Sequence, residues 1–523
     1  MVNRTSTFIS NSTNQYGGDN KMKMKNYLPF VWFVLGFGIF VFTRMSKLVP
    51  TIPVAILIAP VFILRFNRTQ PVRRGNLLTL LGFYLSINIG LWWLYESNTL
   101  FNVVKIFLLA VLFYLPYMID RRLHEKFKKN GISSGLTTLV FPIASTALLF
   151  LSSLEGPFDG AIQIGKFVYG PVALKQLLSL FGISGFIFVS SWFASIINYA
   201  WENNFNWRKS KNTAITFIAV ALAIFAFGII KTSSSSSAQD TVKIAAIIMV
   251  PEDGKTVDIS QIWADKRVSP FEKTISRFEA LTKTAISNGA QIVSFQEYAM
   301  MINEEDEGRV RTEYQRIAKE NNIHLSITYA TFAKEGKGEN KHLFIDNNGE
   351  ILLDYAKRFV GGIAELNLGE AAMYRKGPEV IQWVDTPYGR IAISICRDME
   401  FPHYMRQAGR ADVDIMLSPS WMAEKDLVVH SAYMRTIESG FSVVRPTYHG
   451  ITFAADYNGK ILDQMDSDEP INGGIMYADL PTQGINTLYT QIEDILGWIC
   501  VVGLLGLIPL SIVLRIKQKK EKA

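Results

Sequence analysis

The stretch Arg390-Ile391-Ala392-Ile393-Ser394-Ile395-Cys396 indicates a buried β-strand that ends in a thiol. A short apolar run that is rich in β-branched residues is typical of a strand inside a sheet. In α/β sheets the strand ends open into the crevice where ligands bind. We therefore expect Cys396 to lie at the functional edge of a sheet.

Similar apolar runs alternate with helical patterns from Thr241 onward, which is typical of an α/β domain whose helices cover a sheet. The Asn-Gly turns in Asn347–Gly349 and Tyr457–Gly459 predict hairpins, and therefore a mixed sheet. The predicted strands are Val242–Met249, Gln291–Phe295, His324–Tyr329, Leu343–Asp346, Ile351–Tyr355, Arg390–Cys396, Asp414–Leu417, Phe441–Val444 and Ile451–Ala455. The predicted helices are Pro270–Asn288, Val310–Asn321, Pro402–Ala411 and Val428–Ser439.

Two further predicted strands end in charged residues, Glu297 after Val293–Gln296 and Lys357 after Leu353–Ala356. A thiol attacks a carbonyl as thiolate, a form that a neighbouring cation favours. Glu297 would take the thiol proton, and Lys357 would face the oxyanion of the tetrahedral intermediate. Taken alone, a buried cysteine is usually a small hydrophobe and strand-end charges are usually solvated. Together the three predict a nucleophilic catalytic set.

The order Glu297, Lys357, Cys396 resembles the nitrilase superfamily, whose members carry a Glu-Lys-Cys set on an αββα fold. Glu365 follows Lys357 by eight residues, where the family has a second glutamate beside the nucleophile. Asp398 follows Cys396 by two residues, where the membrane-anchored members usually have glutamate. The resemblance implies supporting roles for Glu365 and Asp398.

Three segments depart from the family's usual pattern. Arg397 stands where tyrosine is common, and Phe359–Ala364 replaces the usual Pro-Phe-Gly approach to the second glutamate. Ser418–Trp421 replaces a typical Asn/Ser-Asn-Asp-Ala-Trp stretch. These changes leave the thiol chemistry intact but surround the expected acyl pocket, so they bear on the identity of the acceptor.

Two regions outside this domain are strongly apolar. A helix needs about 20 apolar residues to cross the hydrocarbon core of a membrane. Candidate spans are Tyr27–Phe42, Val49–Leu64, Leu77–Tyr95, Val103–Ile119, Leu136–Leu154, Leu177–Tyr199, Ala214–Ile230 and Ile495–Leu514, with a possible kink at Gly182 or Gly185. The sequence thus predicts a multi-pass α-helical membrane domain plus an α/β nitrilase-like αββα sandwich domain. The expected division is a cytoplasmic tail (1–25), seven membrane helices (26–231), a Ser-rich tether (232–240), the catalytic domain (241–491) and an eighth membrane helix with a basic tail (492–523).

Basic residues predict the orientation of these spans. Clusters in Arg65–Arg74, Arg121–Lys129, Arg208–Lys211 and Arg515–Lys522 follow the second, fourth, sixth and last spans, whereas the intervening loops are poorer in basic residues. Basic loops stay in the cytoplasm. The alternation predicts that both termini lie inside and that the α/β domain is extracytoplasmic.

Combined with these spans, the domain looks like the apolipoprotein N-acyltransferase family, the membrane-anchored branch of the superfamily. The resemblance implies a bacterial cell (inner) membrane enzyme that takes a fatty acyl chain from a phospholipid onto Cys396 as a thioester. It would then pass the chain to the N-terminal amine of a diacylglyceryl-cysteine lipoprotein. Two alternatives stay open: a membrane-bound amidase or nitrilase that hydrolyses a C–N bond, and a non-catalytic relative that binds lipid or protein in the same cleft.

Composition argues against several other classes of protein. The net charge of +7 is concentrated beside apolar segments, which fits membrane orientation better than a nucleic-acid groove. Of the two cysteines, Cys396 and Cys500, the second lies in an apolar segment, so no disulfide framework is expected. His430 and His449 have no second ligand at metal spacing, and we expect neither a metal ion nor a cofactor.

The predicted orientation can be checked by labelling. With Cys396 and Cys500 both replaced by alanine, a single cysteine introduced by Ser235→Cys should react with a membrane-impermeant maleimide on intact cells, because the tether is expected outside. A cysteine introduced by Lys519→Cys should react only after lysis. Labelling of position 235 only after lysis would reverse the predicted topology.

Overall fold

The computed structural model describes residues 13–43, 52, 54–91, 99–154, 172–233, 240–250, 259–361, 369–422, 427–467 and 474–520. Its helices are α1 Thr13–Val41, α2 Ala55–Thr69, α3 Val72–Leu91, α4 Thr99–Lys129, α5 Ser134–Thr138, α6 Val140–Ser153, α7 Val172–Lys175, α8 Leu178–Glu202, α9 Trp207–Ser233, α10 Ile259–Asp265, α11 Phe271–Ser287, α12 Glu307–Glu320, α13 Glu370–Met373, α14 Pro402–Arg410, α15 Leu427–Ser439, α16 Leu488–Ile492 and α17 Ile495–Lys520. Most of the predicted Ser-rich tether lies outside the described residues.

The strands form two mixed sheets and one small pair. They are β1 Thr241–Ile248, β2 Ile292–Phe295, β3 Met301–Asn303, β4 His324–Phe332, β5 Asn340–Ile345, β6 Ile351–Ala356, β7 Trp383–Thr386, β8 Gly389–Ile393, β9 Ile415–Leu417, β10 Ser420–Met422, β11 Ser442–Arg445, β12 Thr447–His449, β13 Ile451–Ala455, β14 Ile461–Asp466 and β15 Gly474–Pro481. The first sheet runs β15-β1-β2-β4-β5-β6, with β3 also paired to β4. The second sheet runs β14-β13-β11-β9-β8-β7, and β10 pairs with β12.

The two sheets pack face to face, and helices cover their outer faces. Ile244 and Ile292 of the first sheet share one buried cluster with Ile391 and Ile415 of the second. Phe278 of α11 and Tyr314 of α12 pack on the outer side of the first sheet. Helices α14 and α15 cover the second sheet, through buried side chains such as Met405 and Ile437. The predicted αββα sandwich is confirmed.

All nine predicted strands and all four predicted helices of this domain are present, with small shifts at their ends. Both Asn-Gly turns join antiparallel neighbours, β5 to β6 and β13 to β14. One boundary matters for chemistry. Strand β8 ends at Ile393, and Cys396 opens a 3-10 turn, Cys396–Glu400, instead of closing the strand.

Within the described residues, five helical stretches are long and apolar enough to cross a membrane: Val103–Lys129, Gly135–Ser153, Leu178–Glu202, Trp207–Ser233 and Ile495–Ile516. They correspond to the fourth to eighth predicted spans. The first three predicted spans fall on α1, α2 and α3. The apolar part of α1 in the described region, Tyr27–Val41, is shorter. The total of eight spans therefore stays a prediction.

A buried ion cluster joins α2, α4 and α8 near the predicted cytoplasmic side. The Arg68 guanidinium donates to both oxygens of Asp120, at 2.8 Å each, and to Oε1 of Glu202 at 3.1 Å. His124 and Lys128 of α4 also contact Glu202, at 3.2 and 2.9 Å. Because a buried cation is costly without partners, this set fixes the three helix ends together.

The α/β half of the chain contacts the apolar helices at a break in α8. Gly182 has φ 57 and ψ −157 inside the helix, so the structure places the predicted kink at this residue. The ring of Tyr489 in α16 fills the gap, and its hydroxyl donates to Asp494 just before α17. Arg406 of α14 donates to both Tyr489 and Asp494. One joint thus connects the apolar helix α8, the α/β domain and the apolar helix α17.

Gly182→Ala tests this joint. A Cβ at residue 182 would lie 2.6 Å from the Tyr489 ring, and its backbone conformation is one that only glycine adopts readily. We expect a loss of roughly 2–4 kcal/mol in stability, visible as a lower melting temperature of the purified protein. Gly38→Ala is the matched control, because nothing lies within 4 Å of a Cβ at that helical position. Equal melting temperatures for the two variants would contradict the proposed joint.

Candidate active site

Glu297 lies just beyond the end of β2 and is fully buried. Its Oε1 accepts hydrogen bonds from Lys357 Nζ at 2.9 Å and from Asn340 Nδ2 at 2.7 Å. Its Oε2 accepts from the backbone N–H of Trp421 at 2.7 Å. Both oxygens are therefore held in fixed directions by three donors.

Lys357 follows β6 and is placed between two carboxylates. Besides Glu297, its ammonium donates to Oε1 and Oε2 of Glu370, at 2.7 and 2.8 Å. Burial acts to lower the pKa of Lys357, but Glu297, Glu370 and Cys396 together raise it well above its ordinary value. Lys357 is thus a permanent cation with a fixed direction.

Glu370 is held as tightly as its partner. Tyr298 donates to Oε1, and the backbone N–H of Gly361 donates to Oε2 at 2.9 Å. Burial acts to raise the pKa of Glu370, yet Lys357, Gly361 and Tyr298 hold it below its ordinary value. Glu370 therefore stays an anion that orients Lys357.

Cys396 has φ +47, a conformation that is uncommon for a residue with a side chain. Its N–H donates to the carbonyl of Pro419 at 2.7 Å, and the Ser420 hydroxyl donates to its sulfur at 3.2 Å. Unlike Glu297 and Lys357, Cys396 keeps part of its surface exposed. A substrate carbonyl can therefore reach this residue.

The thiol of Cys396 needs a base. Burial and the Glu297 carboxylate raise its pKa to about 11, although Lys357, Arg445 and Ser420 act in the opposite direction. The nearby ammonium thus acts as expected from the sequence, but burial outweighs it. At neutral pH the resting side chain is a thiol, and Glu297 is the carboxylate whose charge acts on it.

Asp398 lies in the same turn as Cys396. Among the hydrogen bonds of the described residues, none joins its carboxylate to the Cys396 sulfur. Its Oδ2 accepts from Tyr355 Oη at 2.7 Å and from Ile395 N at 2.9 Å, and its Oδ1 accepts from Phe359 N at 2.9 Å. Burial raises its pKa to about 6 against these bonds. Asp398 ties the turn that carries Cys396 to the segment that follows Lys357.

The sequence did not single out Glu370 or Asn340, which contact Lys357 and Glu297 in the structure. Glu365, expected as the second glutamate, lies outside the described residues. Glu370 contacts Lys357, and Asn340 Nδ2 bridges Oε1 of Glu297 and Oε1 of Glu370, at 2.7 and 3.3 Å. The sequence gives only a weak indication of a functional role for these two residues, because Glu370 follows a glycine in a polar turn and Asn340 begins a strand.

A cavity of about 200 Å³ lies beside this set. Its wall includes Tyr298 and Trp421, the neighbours of the two ends of the Glu297 network, together with Tyr448, which stacks on Trp421 at 4.3 Å. Met249 and Ile262 extend the apolar lining. Within the described part of the chain, no group of three or more His, Cys, Asp and Glu residues is placed to hold a metal ion.

Asn340→Asp tests the charge balance of this set. The substitution keeps the shape but replaces a donor with an acceptor, so Glu297 and Glu370 would face a third carboxylate. We expect a loss of roughly 2–3 kcal/mol, measured as a lower melting temperature. Asn348→Asp, in an exposed turn, should change stability by less than about 0.5 kcal/mol. Equal effects of the two variants would argue against the balance described here.

Known proteins are similar to this chain mainly in its α/β half. Residues 257–489 match the carbon-nitrogen hydrolase family model. Deaminated glutathione amidase from Dictyostelium discoideum is 29% identical over 126 residues, which cover 22% of this chain and 42% of that protein. Apolipoprotein N-acyltransferase 1 from Leptospira interrogans is 22% identical over 210 residues, which cover 39% of this chain and 35% of that protein. The match thus spans less than half the length of each of these two relatives.

Among solved structures, an amidase from Nesterenkonia sp. is similar, with a TM-score of 0.39 and 17% sequence identity. The alignment covers 50% of this chain and 97% of that chain. The two sheets, the helices that cover them and the family match indicate the same type of domain in the C-terminal half of the chain. Residues 257–489, in the C-terminal half of the chain, therefore carry a carbon-nitrogen hydrolase domain of the nitrilase superfamily.

Proposed function

We propose that the protein transfers a fatty acyl chain from a phospholipid, through a thioester on Cys396, to the N-terminal amine of a diacylglyceryl-cysteine lipoprotein. The observation that carries the proposal is the contact between Lys357 and Glu297, 2.9 Å, beside a partly exposed cysteine in a domain packed on apolar helices. A binding module has no need for such a set. We place the protein in a bacterial cell membrane with this domain on the extracytoplasmic side.

The docking of the domain on the helices supports a membrane substrate. Beyond the joint at Gly182, Gln176 Nε2 donates to the carbonyl of Asn458 at 3.0 Å. Lys175 Nζ lies 4.5 Å from the centroid of the Tyr433 ring in α15. The chain enters the domain from α9 and leaves it into α17, so both ends are anchored. A domain held in this way stays at the height of the lipid head groups.

The first half-reaction forms the acyl-enzyme. Glu297 takes the proton of the Cys396 thiol, and the sulfur attacks the ester carbonyl of the phospholipid. Lys357 faces the oxyanion, where one fixed donor contributes about 3–4 kcal/mol. The intermediate collapses to a thioester when the glycerol oxygen leaves, and Glu297 returns the proton to it as a lysophospholipid departs.

The second half-reaction transfers the acyl chain. A neutral amine attacks the thioester carbonyl, Glu297 accepts the amine proton, and the Cys396 sulfur leaves. Proton transfer back to the sulfur restores the thiol. The apolar helices would limit access of water to the thioester.

A second candidate function is hydrolysis of a C–N bond, with water as the second nucleophile. It is favoured by the family match and by the amidase relatives, whose names record that activity for those proteins. The same three residues would serve, because only the acceptor differs. The two functions are separated by whether an acyl chain from lipid becomes attached to the enzyme.

Incubation of the purified protein with a defined phospholipid should give an intact mass raised by one acyl chain. Cys396→Ala should remove this adduct and abolish transfer to a diacylated lipopeptide, while the protein still folds, because the change is small. The matched control is Cys500→Ala, since Cys500 is buried in α17, and it should keep both. Ammonia release from amides without an adduct would favour the amidase. Adduct formation in Cys396→Ala would reject the nucleophile.

A further inference from the structure

Three parallel strands of the second sheet end side by side. Ile393 of β8 pairs with Leu417 of β9, and Leu417 pairs with Val444 of β11. The residues that follow these strands therefore meet at one edge, as expected for parallel strands. The edge brings together the turn of Cys396, the segment Ser418–Trp421 and Arg445.

Arg445 is fully buried at this edge and is directed toward the nucleophile. Its Nη1 donates to the carbonyl of Cys396 at 3.0 Å and to Ser418 Oγ at 3.2 Å. Its Nη2 donates to Ser420 Oγ at 3.1 Å. Across the described residues, no carboxylate forms a salt bridge with this guanidinium, in contrast to Lys357, which has two. A buried cation without an anion is costly, so its natural counter-charge is the thiolate.

Ser420 connects this cation to the sulfur. A hydroxyl has one proton to donate and two lone pairs to accept. Ser420 gives its proton to Cys396 Sγ at 3.2 Å and accepts from Arg445 at 3.1 Å. A hydrogen bond to an ionised acceptor is shorter and stronger than one to a neutral acceptor. The bond to sulfur therefore gains strength when the thiol becomes a thiolate.

Arg445 adds a second positive charge near the sulfur. Burial and Glu297 raise the pKa of the Cys396 thiol, whereas Lys357 and Arg445 lower it. When the proton moves from Cys396 to Glu297, the carboxylate loses its charge, and the new thiolate faces both cations.

We propose that Ser420 is a further catalytic residue whose hydroxyl stabilises the Cys396 thiolate, and that Arg445 is the positioning residue that orients this hydroxyl. The inference rests on the proposed role of Cys396 as nucleophile. The proton of Ser420 stays on its oxygen throughout. The hydroxyl acts twice: when Glu297 takes the thiol proton, and when the sulfur leaves from the second tetrahedral intermediate.

The test is the pH dependence of alkylation of Cys396 by iodoacetamide, followed by intact mass in the full-length protein with Cys500→Ala. Ser420→Ala should move the apparent thiol pKa upward by about one unit and slow alkylation about tenfold at neutral pH. Ser418→Ala is the matched control, because Ser418 also accepts from Arg445 but makes no hydrogen bond to the sulfur. Ser418→Ala should raise the apparent pKa of the Cys396 thiol by less than about a third of the shift expected for Ser420→Ala. Ser420→Thr, which keeps the hydroxyl, should restore most of the wild-type profile.

An unchanged profile in Ser420→Ala, or equal shifts in Ser420→Ala and Ser418→Ala, would overturn the proposal. If Ser420→Ala does not fold, Arg445→Lys gives a second measurement. Lysine keeps the charge but cannot fix both the Cys396 carbonyl and Ser420, so a smaller upward shift is expected. Iodoacetamide requires neither lipid nor amine. Two results together would therefore separate the proposals: no lipid adduct on Cys396, but different alkylation pKa values for Ser420→Ala and Ser418→Ala. They would reject acyl transfer and support the role of Ser420.

Discussion

The buried ammonium of Lys357 is the constraint on which the site depends. It follows one strand, and its partners Glu297 and Glu370 follow a second strand and begin a short helix. Removing an unpaired charge from water costs several kcal/mol, so these three segments cannot separate without leaving a bare ion. Tyr298 and Asn340 occupy the remaining directions of the carboxylates. The directions of the Glu297 carboxylate and the Lys357 ammonium are therefore fixed before any substrate arrives.

Cys396, the proposed nucleophile, is placed by a different kind of constraint. Cys396 sits in a left-handed backbone conformation at the start of a 3-10 turn, and hydrogen bonds of the backbone and of Asp398 hold that turn. The turn, not the strand, directs the sulfur out of the sheet toward Ser420. Its surroundings keep the resting group protonated, since burial raises the thiol pKa to about 11. The proposed reaction therefore requires Glu297 to remove the thiol proton.

The apolar helices hold the α/β domain, and with it this site, in a fixed position. Tyr489 fits the break at Gly182 and shares Arg406 and Asp494 with the start of α17. The α/β domain is thus fixed to the helices by specific polar contacts as well as by its two chain connections. Such a joint fits the proposed use of a lipid donor, because it holds Cys396 at a constant position relative to the apolar helices.

The sequence by itself determined the layered α/β fold, the order Glu297, Lys357, Cys396 and the apolar segments, and it offered Gly182 or Gly185 as the place of a kink in α8. These features follow from local periodicity and from residue types whose conformational limits act within a few positions. The short or partly polar strands, such as β10 and β14, escaped detection because pairing with neighbours, not local pattern, makes them strands. Glu370, Ser420 and the cation of Arg445 were decided by tertiary structure alone. They lie 13 to 49 residues from the groups that they contact, and only the packing of the sheets brings them there.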